Sequence, residues 1–178
     1  NKVYGQFSGV DPKEVDLVFS AHGVPVSLIN AGDPYQMQIE ETVRLVIARG
    51  SWPSPHLLCF QSKVGPAKWL KPSLDETIRE LAARGRKHLL VIPVAFVTEH
   101  IETLHEINIE ARAEAAELGI RQFVMMPALN DHPKFIDCLA DMVLKRAAGE
   151  RIAFPSCRAL ALSKPGRITP SLCPWWSS

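Results

Sequence analysis

The sequence predicts an α/β domain: a Rossmann-like open parallel sheet of about four strands, with helices on both faces. Three observations predict it. Short apolar runs rich in strand formers alternate with longer segments of helical periodicity. The helical segments carry their own start and stop signals. Polar residues gather just beyond the strands, where open parallel sheets collect their ligands.

The elements follow in order. "VDLVFS" (15–20) is the first strand. "DPYQMQIEETVRLVIARG" follows as a helix, with Ile39, Val43, Val46 and Ile47 on one stripe, Pro34 suited to its first turn and Gly50 to its stop. "HLLCFQS" (56–62) is the second strand. In "SLDETIRELAARG", Ser73 and Glu76 have the spacing of a capping box, and Leu74, Ile78, Leu81 and Ala82 form the buried stripe. "HLLVIPVAF" (88–96) is the third strand, and a Glu-rich helix is expected from about 98 to 118, stopped by Gly119. Its core-facing side is expected to be Ile101, Leu104, Ile107, Ala111, Ala115 and Leu118. "QFVMMPA" (122–128) is the fourth strand, and "PKFIDCLADMVLKRAAG" (133–149) the last helix. The pattern then stops. Residues 1–149 read as one domain, and 150–178 as a tail or extension.

Composition narrows the class. With 20 Lys and Arg against 19 Asp and Glu, no electrostatic case for nucleic acid arises, and no nucleic-acid partner is expected. No apolar run approaches the roughly 18 residues of a membrane span. The chain begins at Asn1 without a Met, as a fragment would. Cys59, Cys138, Cys157 and Cys173 form no CxxC, so a disulfide framework or zinc finger is unsupported and a reducing, cytoplasmic compartment is expected. No GxGxxG or Walker motif speaks for a nucleotide.

The strand ends would bring Ser20, His22, Gln61, Ser62, Lys63, His100, Glu102 and Asn130 to one rim. Beside them "TEHIETLHEINIE" spaces Glu99, Glu102, Glu106 and Glu110 by three, four and four, with no Lys or Arg between Lys87 and Arg112. Two readings stand. The acids are the solvated face of an amphipathic helix, or they are a functional array, since like charges at such spacing cost about 0.2–0.5 kcal/mol each and a solvated face normally interleaves Lys. His22 and a Glu could converge across the rim. Imidazole with carboxylate suits a divalent cation such as Fe²⁺, or accepts protons. Trp69 and Tyr35 are packing residues or stacking walls. Lys63 is a weak signal for an anionic group.

At these residues the chain resembles the ferrochelatases, the terminal metal-inserting enzymes of haem synthesis. The matching motifs are "FSAHGVPVS", "GDPYQMQIEETVR", "QSKVGPAKWLKPS", "VIPVAFVTEHIETLHEINIE" and "PALNDHPKFIDCLADMV", in family order from about residue 15 to 147. The resemblance implies a two-lobed enzyme with a porphyrin in the cleft, of which this chain is the C-terminal lobe, the N-terminal lobe lying before Asn1. It implies His22 and Glu102 as the catalytic and metal-binding pair. Glu99, His100, Glu106 and Glu110 become a conduit for protons or metal, and Trp69, with Tyr35 and Lys63, part of the porphyrin pocket. Asn108 stands where the family usually shows Asp, and Ala111 replaces its closing aromatic. Fe²⁺ is then a substrate, protoporphyrin IX or coproporphyrin III its acceptor, and no cofactor is required. The separation of Cys157 and Cys173 matches no cluster pattern, so no [2Fe–2S] cluster is expected. A peripheral membrane contact is left open. Two other expectations are kept: a related tetrapyrrole chelatase using cobalt, and a non-catalytic lobe that binds metal or haem.

Overall fold

The computed structural model of the protein describes residues 4–63 and 65–150. Four strands, β1 (Val15–His22), β2 (His56–Gln61), β3 (His88–Pro93) and β4 (Gln122–Met125), form one sheet in the order β2-β1-β3-β4. All three pairings are parallel. Residues 151–178, where the sequence predicts a tail with Cys157 and Cys173, lie outside the described residues.

The central strand explains the layers. Val15 to Ala21 are all buried, as a strand covered on both faces requires. Its side chains alternate between two cores. On one face Val18 packs with Leu89 and Val91 of β3 under α3 (Leu74–Ala83), a π-helix (Thr103–Ala111) and α4 (Arg112–Glu117), through Ile78, Ile107 and Ala115. On the other, Leu17 and Phe19 pack with Leu90, Ile92 and Val43 of α2 (Tyr35–Gly50). The expected helices on both faces are present. A third cluster, Ala21, Ile39, Phe60 and Leu70, closes the carboxyl end of the sheet beneath the rim.

Local chemistry sets the ends. Ser73 and Glu76 form the full reciprocal capping box of α3. At the end of α2 it is Ser51, not Gly50, that takes the left-handed conformation, at φ 49°. Gly50 serves a different purpose: a Cβ there would lie 2.5 Å from the Trp52 ring. At the opposite end of the sheet, buried Asp16 accepts from Arg86 Nε at 2.5 Å. A short helix not anticipated from the sequence, α1 (Val26–Asn30), precedes α2.

Two expectations need correction. β3 ends at Pro93, not 96, since a proline has no N–H to continue the ladder. The Glu-rich helix begins at residue 101, not 98, and its first two turns are π rather than α. The i→i+5 bonds of a π-helix turn the chain less per residue than an α-helix does, so residues four apart stay nearly in line. Thr103, Ile107, Ala111 and Ala115 face inward and are buried, whereas Ile101, Leu104 and Leu118, expected in the core, are exposed.

The last helix, α5 (Pro133–Ala147), has no buried residue and exposes Ile136, Leu139, Val143 and Leu144. Among the described residues no helix is long and apolar enough to cross a membrane.

Candidate functional site

The rim at the carboxyl ends of the strands is held by side-chain hydrogen bonds. Its first element is His22, the last residue of β1, paired in register with Gln61 of β2. Its Nδ1 lies 2.6 Å from the Gly23 carbonyl oxygen. A carbonyl only accepts, so Nδ1 donates, and in neutral imidazole Nε2 is left with a free lone pair. The backbone carbonyl of His22 accepts from the Tyr35 hydroxyl at 2.9 Å. Burial raises Tyr35's own pKa above the usual phenol value, keeping it a donor. Tyr35 therefore fixes the strand end that presents the imidazole.

Glu102 meets His22 from the start of the helical segment that follows β3. It sits immediately before the π-helix, and its Oε2 is 3.9 Å from His22 Nε2. That gap is too long for a hydrogen bond. Two donors each about 2.1 Å from one first-row cation stand at most about 4.2 Å apart, so an ion fits between them. The two side chains are 40% and 44% exposed, which leaves further coordination positions open to a substrate. Among the described residues no three His, Cys, Asp or Glu converge as a metal cage.

Glu106 lies one π-turn further. It is half-buried, and one of its oxygens accepts from Ser62 Oγ at 2.7 Å and from Gln61 Nε2 at 3.2 Å. Gln61 is held in turn by Ser20 Oγ at 2.8 Å. Ser62 reaches Glu106 from a left-handed backbone at φ 63°, an unusual conformation for a residue other than glycine. So β1, β2 and the π-helix are tied together directly below the His22–Glu102 pair.

The other candidates divide. His100 precedes the helix; its Nδ1 accepts from the Glu102 backbone N–H at 3.3 Å and its carbonyl from Thr103 Oγ1 at 2.9 Å. Glu99 bonds away from the pair: its carboxylate accepts from Ala128 N at 2.9 Å, and its N–H donates to Asn130 Oδ1 at 2.9 Å. It anchors the segment after β4. Glu110 is exposed, 3.6 Å from His105 Nδ1. Lys63 is exposed beside a cavity that Trp69 also lines. The even spacing of the acids in sequence thus becomes four separate settings in space.

One side chain escaped sequence reasoning. The Phe96 ring stands between the two histidines, 6.4 Å from His22 and 6.0 Å from His100 between centroids. It reads as core while β3 is extended to residue 96. Once the strand stops at Pro93, Phe96 belongs to the rim.

Comparison with known proteins bears on the family and the fold. The ferrochelatase family profile matches residues 1–147. A ferrochelatase of Trichodesmium erythraeum is 54% identical over 136 residues, 76% of this chain and 35% of the relative. One of Citrifermentans bemidjiense is 51% identical over 141 residues, 79% of this chain and 44% of the relative. The chain thus spans well under half the length of these relatives. Among solved structures, the CbiX cobalamin (vitamin B12) biosynthesis protein of Marinobacter aquaeolei VT8 superposes with a TM-score of 0.56 at 14% identity, covering 76% of this chain and 99% of that one. At that identity the likeness concerns the fold alone, a parallel sheet with helices. The profile match over residues 1–147 and relatives about half identical show that this chain belongs to the ferrochelatase family.

Proposed function

We propose that this chain is the metal-handling lobe of a ferrochelatase, which inserts Fe²⁺ into a porphyrin, protoporphyrin IX or coproporphyrin III, in haem synthesis. The observation that carries the reading is the open, cation-sized gap between His22 Nε2 and Glu102 Oε2. The reaction needs a base for two pyrrole N–H protons, and a ligand that releases the metal readily. His22 supplies the first: with Nδ1–H held by Gly23, its lone pair at Nε2 is aimed at the gap. Glu102 supplies the second. One carboxylate and one imidazole hold Fe²⁺ more weakly than a closed cage of four donors does, which suits transfer rather than storage, and the Nε2 lone pair takes a pyrrole proton only once the ion has left it. Glu106, tied to Ser62 and Gln61, is the next acceptor for a departing proton. Trp69 and Phe96 are apolar surfaces for a planar macrocycle. The reaction needs no cofactor; iron is cargo.

The lobe that closes over the other face of the porphyrin is assigned to the remaining length of the relatives. Iron insertion is therefore measured on this chain with and without an upstream ferrochelatase lobe. Turnover that depends on the added lobe is expected. Turnover with Co²⁺ and sirohydrochlorin, but not with Fe²⁺ and a porphyrin, would overturn the reading in favour of a cobalt chelatase. Porphyrin binding without insertion of any metal in the two-lobed form would leave a non-catalytic binding lobe.

A further inference from the structure

Glu102 stands well past the end of its strand. β3 ends at Pro93, and residues 94–100 are loop before the helical segment opens at residue 101. The strand end alone therefore does not place this carboxylate 3.9 Å from His22. Other contacts have to, because a loop left to itself keeps many backbone conformations.

The segment after β4 grips this loop at three points. The Val97 carbonyl accepts from Asn130 N at 2.8 Å. Glu99 N donates to Asn130 Oδ1 at 2.9 Å, and the Glu99 carboxylate accepts from Ala128 N at 2.9 Å. Each segment thus lends a side-chain acceptor to the backbone of the other, the reciprocity that a capping box has within one helix. Asn130 does so from a left-handed backbone, φ 46°, which asparagine tolerates better than most residues. From Glu99 the constraint passes along the chain. The His100 carbonyl accepts from Leu104 N at 3.0 Å and from Thr103 Oγ1 at 2.9 Å. His100 Nδ1 accepts from the Glu102 N–H at 3.3 Å, and Thr103 is buried. Glu102 therefore rides on a turn whose first residue directly follows Glu99.

We infer that Glu99 and Asn130 form a clamp that positions Glu102, and that Glu99 itself carries neither proton nor metal. The inference rests on the proposed function for its consequence in iron insertion. A clamp and a conduit ask different things of residue 99. A conduit needs an ionisable acid there. The clamp needs only an oxygen that accepts from Ala128 N–H, and a glutamine side chain also supplies one.

The test compares Glu99→Gln with Glu99→Ala in two measurements. In the ¹⁵N-labelled chain, amide hydrogen exchange is followed at Glu99, Glu102 and Ala128. Glu99→Ala is expected to speed exchange at Ala128 and Glu102 about two- to ten-fold, the scale of one lost hydrogen bond. Glu99→Gln is expected to leave both close to the parent rates. Asn130→Gly keeps the left-handed backbone accessible and removes only the side-chain acceptor, so it is expected to speed exchange at Glu99 and Glu102. Unchanged exchange at Glu102 in either Glu99→Ala or Asn130→Gly overturns the clamp. Fe²⁺ insertion is then measured in the two-lobed enzyme. Glu99→Ala is expected to lower kcat about ten- to hundred-fold, the scale of a misplaced catalytic group, with the KM for porphyrin unchanged. Glu99→Gln is expected to restore most of that loss. Equal losses in Glu99→Gln and Glu99→Ala overturn the inference in favour of a conduit acid. A parent enzyme that inserts no iron defeats the proposed function instead. The exchange measurement needs neither metal nor porphyrin, so it still decides the clamp.

Discussion

Cys59 and Tyr35 show how single residues near the rim are set by burial. Cys59 is wholly buried on β2, and desolvation pushes its thiol up to about 12, against a smaller lowering by the Ser20 and Thr77 side chains. It therefore stays a neutral thiol from about pH 6 to 9 and reacts poorly. Iodoacetamide mapped by mass spectrometry should label exposed Cys138 in the native chain and reach Cys59 only on unfolding. The sign of the linkage follows. The unfolded thiol titrates near 9.0 and the folded one near 12, so its contribution to stability is full below pH 9 and lost as pH rises toward 12. Urea unfolding between those values should show a shallower alkaline loss in Cys59→Ala than in the parent chain. Tyr35→Phe removes the hydroxyl that holds the His22 carbonyl and should cost about 1 kcal/mol, read in the same denaturation experiment. At this scale His22 was legible from its place at the end of β1, whereas Glu102, well past the end of β3 at Pro93, was legible as its partner only through the family resemblance. Phe96 was not: a phenylalanine after an apolar run looks like core until the strand's end is known.

The elements were legible wherever one period held throughout. The α3 capping box, the Ile39–Val43 stripe of α2 and the parallel strands all follow from spacing and cap chemistry. The Glu-rich helix did not, because a 100° step was assumed for a segment that begins in π-turns. The acids then appeared as one stripe, whereas the structure gives Glu99 to a loop anchor, Glu102 to His22, Glu106 to Ser62 and Gln61, and Glu110 to His105. Gly50 was read as a helix stop, and its real constraint is contact with an aromatic ring far too close for any Cβ. Gly50→Ala should therefore destabilise by about 1–3 kcal/mol through overpacking against Trp52, where a simple helix-propensity argument predicts a gain. Chemical denaturation distinguishes the two signs. Ser73→Ala should cost about 1 kcal/mol by removing the cap of α3.

At the scale of the whole molecule, the sheet is covered on both faces, but α5 buries no residue fully among the described residues. Val143 is exposed, so Val143→Ser should change the stability of this chain by less than about 0.5 kcal/mol. A loss several times larger would mean that the helix is packed. The chain's length relative to its relatives could not be read from its own composition; it became visible only through motifs in family order and then through the comparisons. The central claim is that one imidazole from the end of β1 and one carboxylate from the helix start beyond β3 flank a gap through which a divalent ion passes to a porphyrin. The most direct measurement is the rate of Fe²⁺ insertion by the two-lobed enzyme carrying His22→Ala or Glu102→Gln. The account predicts a fall of at least about 100-fold for His22→Ala, the scale of general acid–base catalysis, and a comparable fall for Glu102→Gln, with porphyrin affinity kept in both. Insertion at near the parent rate in either variant would contradict it.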